Sequence, residues 1–183
     1  MKKILTILLI GLLNFTSNVF ANEKILDSLN EGQKLIFIRH ALAPGNGDPD
    51  NFLINDCSTQ RNLNKKGINQ SYKIGDFFKK NKIKIDKVLS SEWCRCKDTA
   101  KYAFNNFETF NALNSFYDEK FHKFKNKQMK ELEEYISSWN SDKNLVLLTH
   151  FVVISEILNL SVSSGELAVS KKNFEVIGTL NLF

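Results

Sequence analysis

Two short apolar runs end the same way. Leu35-Ile36-Phe37-Ile38 is followed by Arg39-His40, and Leu145-Val146-Leu147-Leu148 by Thr149-His150. Continuous apolar runs of this length bounded by polar residues read as strands buried on both faces, the pattern of a parallel sheet. Parallel strands cannot be joined by tight turns, so the chain between them must cross over, usually through a helix. If both strands end at one sheet edge, both histidines arrive in the crevice where open α/β sheets bind ligands.

The intervening sequence supplies the crossovers. A helix is predicted over Lys65–Lys80, capped by Asn64, with Ile68, Tyr72, Gly75 and Phe78 at helical spacing and Ile74 and Phe77 beside them. A strand is predicted over Lys84–Ser90 and a helix over Arg95–Phe107, opening just after Ser90-Ser91. Asn111–Asn126 reads as irregular and aromatic. Lys127–Asn140 reads as a helix with Met129, Leu132, Ile136 and Trp139 on one face. Phe151–Asn159 reads as helical, and Glu166–Val169 and Phe174–Leu182 as closing strands. A short amphipathic helix over Glu23–Asn30 precedes the first strand, Lys34–Ile38. Alternating strands and helices imply one three-layer α/β/α sandwich over residues 22–183, with a mostly parallel mixed sheet.

Residues 1–21 are set aside from this fold. Lys2 and Lys3 precede an apolar run, Ile4–Leu13, and Val19-Phe20-Ala21 offers a cleavage point. The pattern is that of a secretory signal peptide cleaved near Ala21. The run is shorter than the roughly 20 residues of a spanning helix. The expectation is a periplasmic or secreted protein with no membrane span after signal removal. Loss of Lys2 and Lys3 lowers the formal net charge of +5 by two. A mildly basic surface suits small anions. No long Lys/Arg stripe with interleaved aromatics points to nucleic acid.

An oxidising compartment bears on the three cysteines. Cys57 is expected to pair with Cys94 or Cys96, since a bridge within Cys94-x-Cys96 would be strained. The spacing does not match a structural zinc site.

Arg39, Arg95, His40 and His150 together suit a phosphoryl group. Its transfer spreads negative charge over equatorial oxygens, which planar guanidinium forks can hold. A helix opening beside Arg95 adds N–H groups and a positive dipole end. A neutral His40 can attack phosphorus if a backbone carbonyl fixes its other nitrogen, giving a phosphohistidine that water hydrolyses. This chemistry needs no metal and no cofactor. The polar loop Ala41–Arg61 is long for a structureless connection and is expected to be functional. Within it, the segment from Gly45 to Cys57 is expected to set specificity, and Arg61 at its end is a candidate substrate contact.

Arg39-His40 with Asn46, Leu63-x-x-x-Gly67-x-x-Gln70, Ser90-Ser91-x-x-x-Arg95-x-x-x-Thr99-Ala100 and Thr149-His150 together resemble the histidine phosphatase superfamily, the phosphoglycerate mutase-like proteins. The resemblance spans roughly Lys34–Leu160. It implies a mixed sheet flanked by helices, His40 as the phosphorylated nucleophile, and Arg39, Arg95 and His150 as the phosphate pocket. It implies Asn46 as a further phosphate contact. Ala41 stands where the family often has Gly. Phe151 stands where one branch has an Asp that donates a proton. The other branch takes a Glu from the segment matching Leu113–Glu119, so Asp118 or Glu119 is the candidate acid, with Glu108 and Asp48 behind them. The expected activity is hydrolysis of a phosphomonoester, first among them a cell-envelope phosphosugar. The alternatives are a non-catalytic periplasmic phospho-ligand binding protein and a phosphotransferase or mutase.

Overall fold

The computed structural model describes residues 22–183, so the signal-peptide reading of residues 1–21 lies outside the described residues. The described residues open with helix α1 (22–31). There follow β1 (Leu35–Arg39), α2 (Lys65–Lys80), β2 (Ile85–Ser90), α3 (Cys94–Phe104) and β3 (Glu108–Thr109). The second half contains α4 (Glu119–His122), α5 (Lys125–Ser138), β4 (Asn144–Thr149), α6 (Phe151–Leu158), β5 (Leu167–Ser170) and β6 (Val176–Leu180).

The six strands form one sheet in the order β3-β2-β4-β1-β5-β6. β3, β2, β4 and β1 run parallel; β5 pairs antiparallel with β1, and β6 antiparallel with β5. Alternate residues of each central strand face opposite sides. Leu35, Phe37, Leu145 and Leu147 pack against α5 and α6 through Leu132, Ile136, Val153 and Ile154. Ile36, Ile38, Val146 and Leu148 pack against α1, α2 and α3 through Ile25, Leu29, Ile74, Phe78 and Ala100. The expected three-layer sandwich with a mostly parallel mixed sheet is therefore the observed fold.

Some boundaries move for identifiable reasons. α3 stops at Phe104 rather than Phe107, because Asn105 adopts φ +65°. With ψ −50° it forms a tight turn in which Asn106 N–H donates to Phe104 O at 2.8 Å, and the helix cannot continue. Shortly after this turn comes β3, a two-residue edge strand that the sequence pattern does not announce. The segment expected to be irregular, Asn111–Asn126, holds a 3-10 turn (Asn111–Leu113) and α4. No helix among the described residues is long and apolar enough to cross a membrane.

Two features of α2 position the chain leaving β1. Asn64 caps the helix, its Oδ1 accepting from Gly67 N–H at 2.9 Å. A Cβ at Gly67 would run into the Leu42 carbonyl. That carbonyl accepts from Asn64 N–H at 3.3 Å, and Leu42 N–H donates to Gln70 Oε1 at 2.8 Å. The helix start and the residues just after His40 are thus fastened together at close range.

Candidate active site

β1 and β4 are neighbouring parallel strands with Arg39 opposite Thr149. Their ends therefore coincide, and His40 N–H donates to Thr149 O at 2.9 Å. β2 ends beside them, with Ser91 N–H on Leu148 O at 2.9 Å. This register places the His40 and His150 rings 5.3 Å apart, centre to centre, at 65°. A cavity of about 370 Å³ opens at this edge. Arg39, His40, Asn46, Arg61, Arg95, Asp118 and His150 all line it. So do Ser115, Tyr117, Phe151 and Ser164, which sequence reasoning did not place there as a set.

His40 is buried, and its Nδ1 lies 2.8 Å from Ala41 O. A carbonyl only accepts, so Nδ1 carries the proton and Nε2 keeps a lone pair. Nε2 has no hydrogen-bond partner within the described protein. Burial lowers the His40 pKa well below the ordinary histidine value. The Arg95 charge adds to this, the Ala41 hydrogen bond opposes it, and Arg39 and Arg61 lower it further. The ring is neutral at neutral pH.

The three guanidiniums differ in how free they are. Arg39 donates from Nη1 to Val162 O at 2.8 Å and lies 5.2 Å from the Phe151 ring centre. Its buried Nε has no partner. Arg61 donates from Nε to Gly47 O at 2.9 Å and from Nη1 to Ala43 O. Arg95 is not the free fork that its sequence position suggested. Its Nη1 and Nη2 grip the Asp48 carboxylate at 2.8–3.1 Å, and only its buried Nε lacks a partner. Burial lowers the Arg39 and Arg61 pKa values, as does the Arg95 charge.

Asp48 also accepts from Trp93 Nε1 at 2.9 Å and from Arg61 N–H at 3.1 Å. Burial pushes its carboxyl up, but the Arg95 hydrogen bonds and charge, with the Arg61 and Trp93 donors, outweigh burial and hold it low. Asp48 is therefore the anchor of Arg95 rather than a proton donor. Nothing in its spacing signalled that: it is one of several aspartates in the loop. Glu108 is exposed on β3, 3.6 Å from Lys87, and Glu119 is exposed at the start of α4; neither lines the cavity. Asp118 is the one carboxylate among the lining residues, and its Oδ1 lies close to Gly47.

The start of α3 is less open than expected. Cys94 N–H donates to Gln60 Oε1 at 2.9 Å, and Trp93, not Ser90 or Ser91, is the N-cap residue. Cys57 and Cys94 form the disulfide, with Cα atoms 5.7 Å apart. Cys96, the other partner the sequence allowed for Cys57, is a free buried thiol. Its Sγ lies 3.4 Å from His150 Nε2. No group of His, Cys, Asp and Glu among the described residues is arranged to hold a metal ion.

No protein-family model matches the sequence, and no curated protein matches it. Solved structures do match the fold. A phosphoglycerate mutase from Thermus thermophilus superposes with a TM-score of 0.60 at 14% identity, over 82% of this chain and 99% of that one. A mycobacterial glucosyl-3-phosphoglycerate phosphatase gives 0.55 at 13% identity, over 75% and 92%. The protein histidine phosphatase SixA, complexed with tungstate, gives 0.53 at 14% identity, over 78% and 92%. The chain has the phosphoglycerate mutase-like fold of these structures. At these identities the likeness is one of fold, and the chemistry rests on the cavity itself.

Proposed function

We propose that this protein is an exported phosphatase that hydrolyses a phosphomonoester through a phosphohistidine on His40. The observation that carries the reading is the buried, neutral His40 with its Nε2 lone pair free in a cavity lined by Arg39, Arg61 and Arg95. In the first step Nε2 bonds to phosphorus as the ester P–O bond breaks. The guanidiniums hold charge on the equatorial oxygens, and Asn46 adds a polar contact. Asp118 donates the proton that the departing oxygen needs. In the second step water attacks phosphorus as the P–Nε2 bond breaks; the Asp118 carboxylate takes the water proton, inorganic phosphate leaves, and His40 regains its lone pair.

The exposed rings of Tyr117 and Phe151, 5.5 Å apart, form one rim of the cavity. Flat apolar rims of this kind suit the C–H face of a sugar ring. This favours a phosphosugar, and a cell-envelope phosphosugar fits export to the periplasm. Export is supported by the Lys2-Lys3 and Ile4–Leu13 pattern and by the Cys57–Cys94 disulfide, a bond that belongs to oxidising compartments. A mature N-terminus near Asn22 in the periplasmic fraction is the expected result; an uncleaved chain in the cytoplasm overturns export.

The test of the activity is phosphate release from an aryl phosphate, with His40→Ala alongside. Wild type should turn over, and His40→Ala should fall to background while still binding inorganic phosphate in titration. Phosphate binding by wild type without release would make the chain a non-catalytic binding protein. Transfer to an added alcohol in preference to water would make it a phosphotransferase.

A further inference from the structure

Asn114 lies outside the catalytic cavity, yet its amide is linked to His150. Its Oδ1 accepts from Glu92 N–H at 2.8 Å, and its Nδ2 donates to the Glu92 carboxylate at 2.6 Å. A backbone N–H only donates and a carboxylate only accepts, so the amide has a single orientation. Oδ1 is therefore the atom 3.0 Å from Ser91 Oγ, and the one hydroxyl proton of Ser91 goes to it. The Ser91 lone pairs are left to accept from Trp93 N–H at 3.3 Å and to face His150 Nε2 at 2.9 Å. Two lone pairs do not sit 2.9 Å apart, so Nε2 carries a proton. The neighbouring Cys96 stays S–H, since burial pushes its thiol up to about 12, and its one proton is directed to Thr149 O at 3.7 Å rather than to Nε2.

We propose that Asn114 is a positioning residue: acting through Ser91, it holds His150 in the Nε2–H tautomer, leaving Nδ1 as the ring's only free nitrogen. Nδ1 has no hydrogen-bond partner within the described protein. Burial lowers the His150 pKa well below the ordinary value, and the charges of Arg95, His40, Arg61 and Arg39 lower it further. The ring is therefore neutral and offers a lone pair at Nδ1. It accepts a proton there, from a phosphate oxygen or from water, rather than donating one at the outset. His40 and His150 are thus fixed in opposite tautomers, by Ala41 O and by the Asn114–Ser91 pair.

The effect on turnover rests on the phosphatase reading; the tautomer itself does not. The experiment is long-range ¹H–¹⁵N NMR of the imidazoles in the substrate-free protein, for wild type, Asn114→Leu and Ser91→Ala. Wild type should show His150 protonated at Nε2 and His40 at Nδ1. In Asn114→Leu the Ser91 hydroxyl is free to donate to Nε2, and His150 should shift toward the Nδ1–H form. In Ser91→Ala the single tautomer should give way to a mixture. The His40 pattern, set by Ala41, is the internal control for folding; if Asn114→Leu loses it, Ser91→Ala decides. Nδ1–H in wild-type His150 overturns the proposal, as does an unchanged tautomer in folded variants. A histidine held in the wrong tautomer costs a hydrolase up to about 10⁴ in kcat. Asn114→Leu should lower kcat toward an aryl phosphate at least about tenfold, with KM within about twofold. An inactive wild type showing this tautomer pattern would refute the phosphatase and leave the positioning of His150 standing.

Discussion

Asp48 and Arg95 meet fork to fork, with three N–O contacts of 2.8–3.1 Å and side chains only 1% and 3% exposed. The pair joins the loop after β1 to the first turn of α3. Breaking a buried pair by neutralising one partner leaves the other charge uncompensated. Arg95 would then lie buried beside Arg39 and Arg61 with nothing to balance it. Asp48→Asn should cost about 3–5 kcal/mol, read as a fall in Tm of roughly 10 °C. The folded carboxyl is held low, so this pair's contribution is present above the unfolded carboxyl value near 4 and is lost as pH falls through the folded value. Wild type should lose this part of its stability in acid and Asp48→Asn should not. A melt that moves by less than about 1 kcal/mol would remove Asp48 as the anchor of Arg95.

The two cavity histidines make a second pH prediction. Both have lowered folded pKa values, chiefly through burial, so the unfolded chain binds more protons than the native one below the unfolded value of about 6.5. Their contribution is complete above about pH 6.5 and declines as pH drops toward the folded values. For the same reason the acid limb of kcat/KM, which reports the free enzyme, should lie below about pH 6.5. A limb centred at or above that value would show that His40 is not the neutral nucleophile described.

Leaving-group dependence separates the two acids left open by the sequence. Asp118→Asn should slow hydrolysis of an alkyl phosphate by about 10² or more. It should have little effect on a nitrophenyl phosphate, whose leaving group barely needs a proton. Glu119→Gln should change neither rate. Equal losses on both substrates from Asp118→Asn would assign the residue to binding rather than proton donation.

The Cys57–Cys94 disulfide closes a loop spanning 37 positions that contains Arg61 and the whole of α2. By the chain-entropy relation a loop of this size is worth about 4 kcal/mol. Cys57→Ser should lower stability by roughly 2–4 kcal/mol. In the non-reduced, denatured protein only Cys96 should alkylate; modification of all three thiols would remove the bridge.

The legible parts of this structure were those governed by short-range pattern. Continuous apolar runs marked β1 and β4, and Asn64 marked the start of α2, because burial and capping act on neighbouring residues. The two-residue β3 carried no such pattern; it exists because Asn105 ends α3 early and β2 offers a free edge. The gathering of Arg39, His40, Arg95 and His150 followed from strand-end chemistry alone. The state of Arg95 did not, because Asp48 lies 47 positions away and its carboxylate looks like any loop charge in the sequence. The roles of Asn114 and Ser91 were hidden for a related reason. Hydrogen-bond direction is decided by which partners surround an amide, and that is a property of the assembled site.

The tight seat of Gly67 against the Leu42 carbonyl has a consequence for His40. Leu42 follows Ala41, whose carbonyl fixes the proton on Nδ1. The start of α2 therefore works as a jig: Gly67 sets how near the helix may come, and Asn64 and Gln70 clamp the peptide that must be held still. A side chain at position 67 would push the clamp away from the chain leaving β1 and let the Ala41 carbonyl turn. The reacting nitrogen would lose its lone pair to a proton without any atom of the cavity having been replaced. In this fold, a methyl group on a helix behind the cavity and a change of tautomer inside it are the same event.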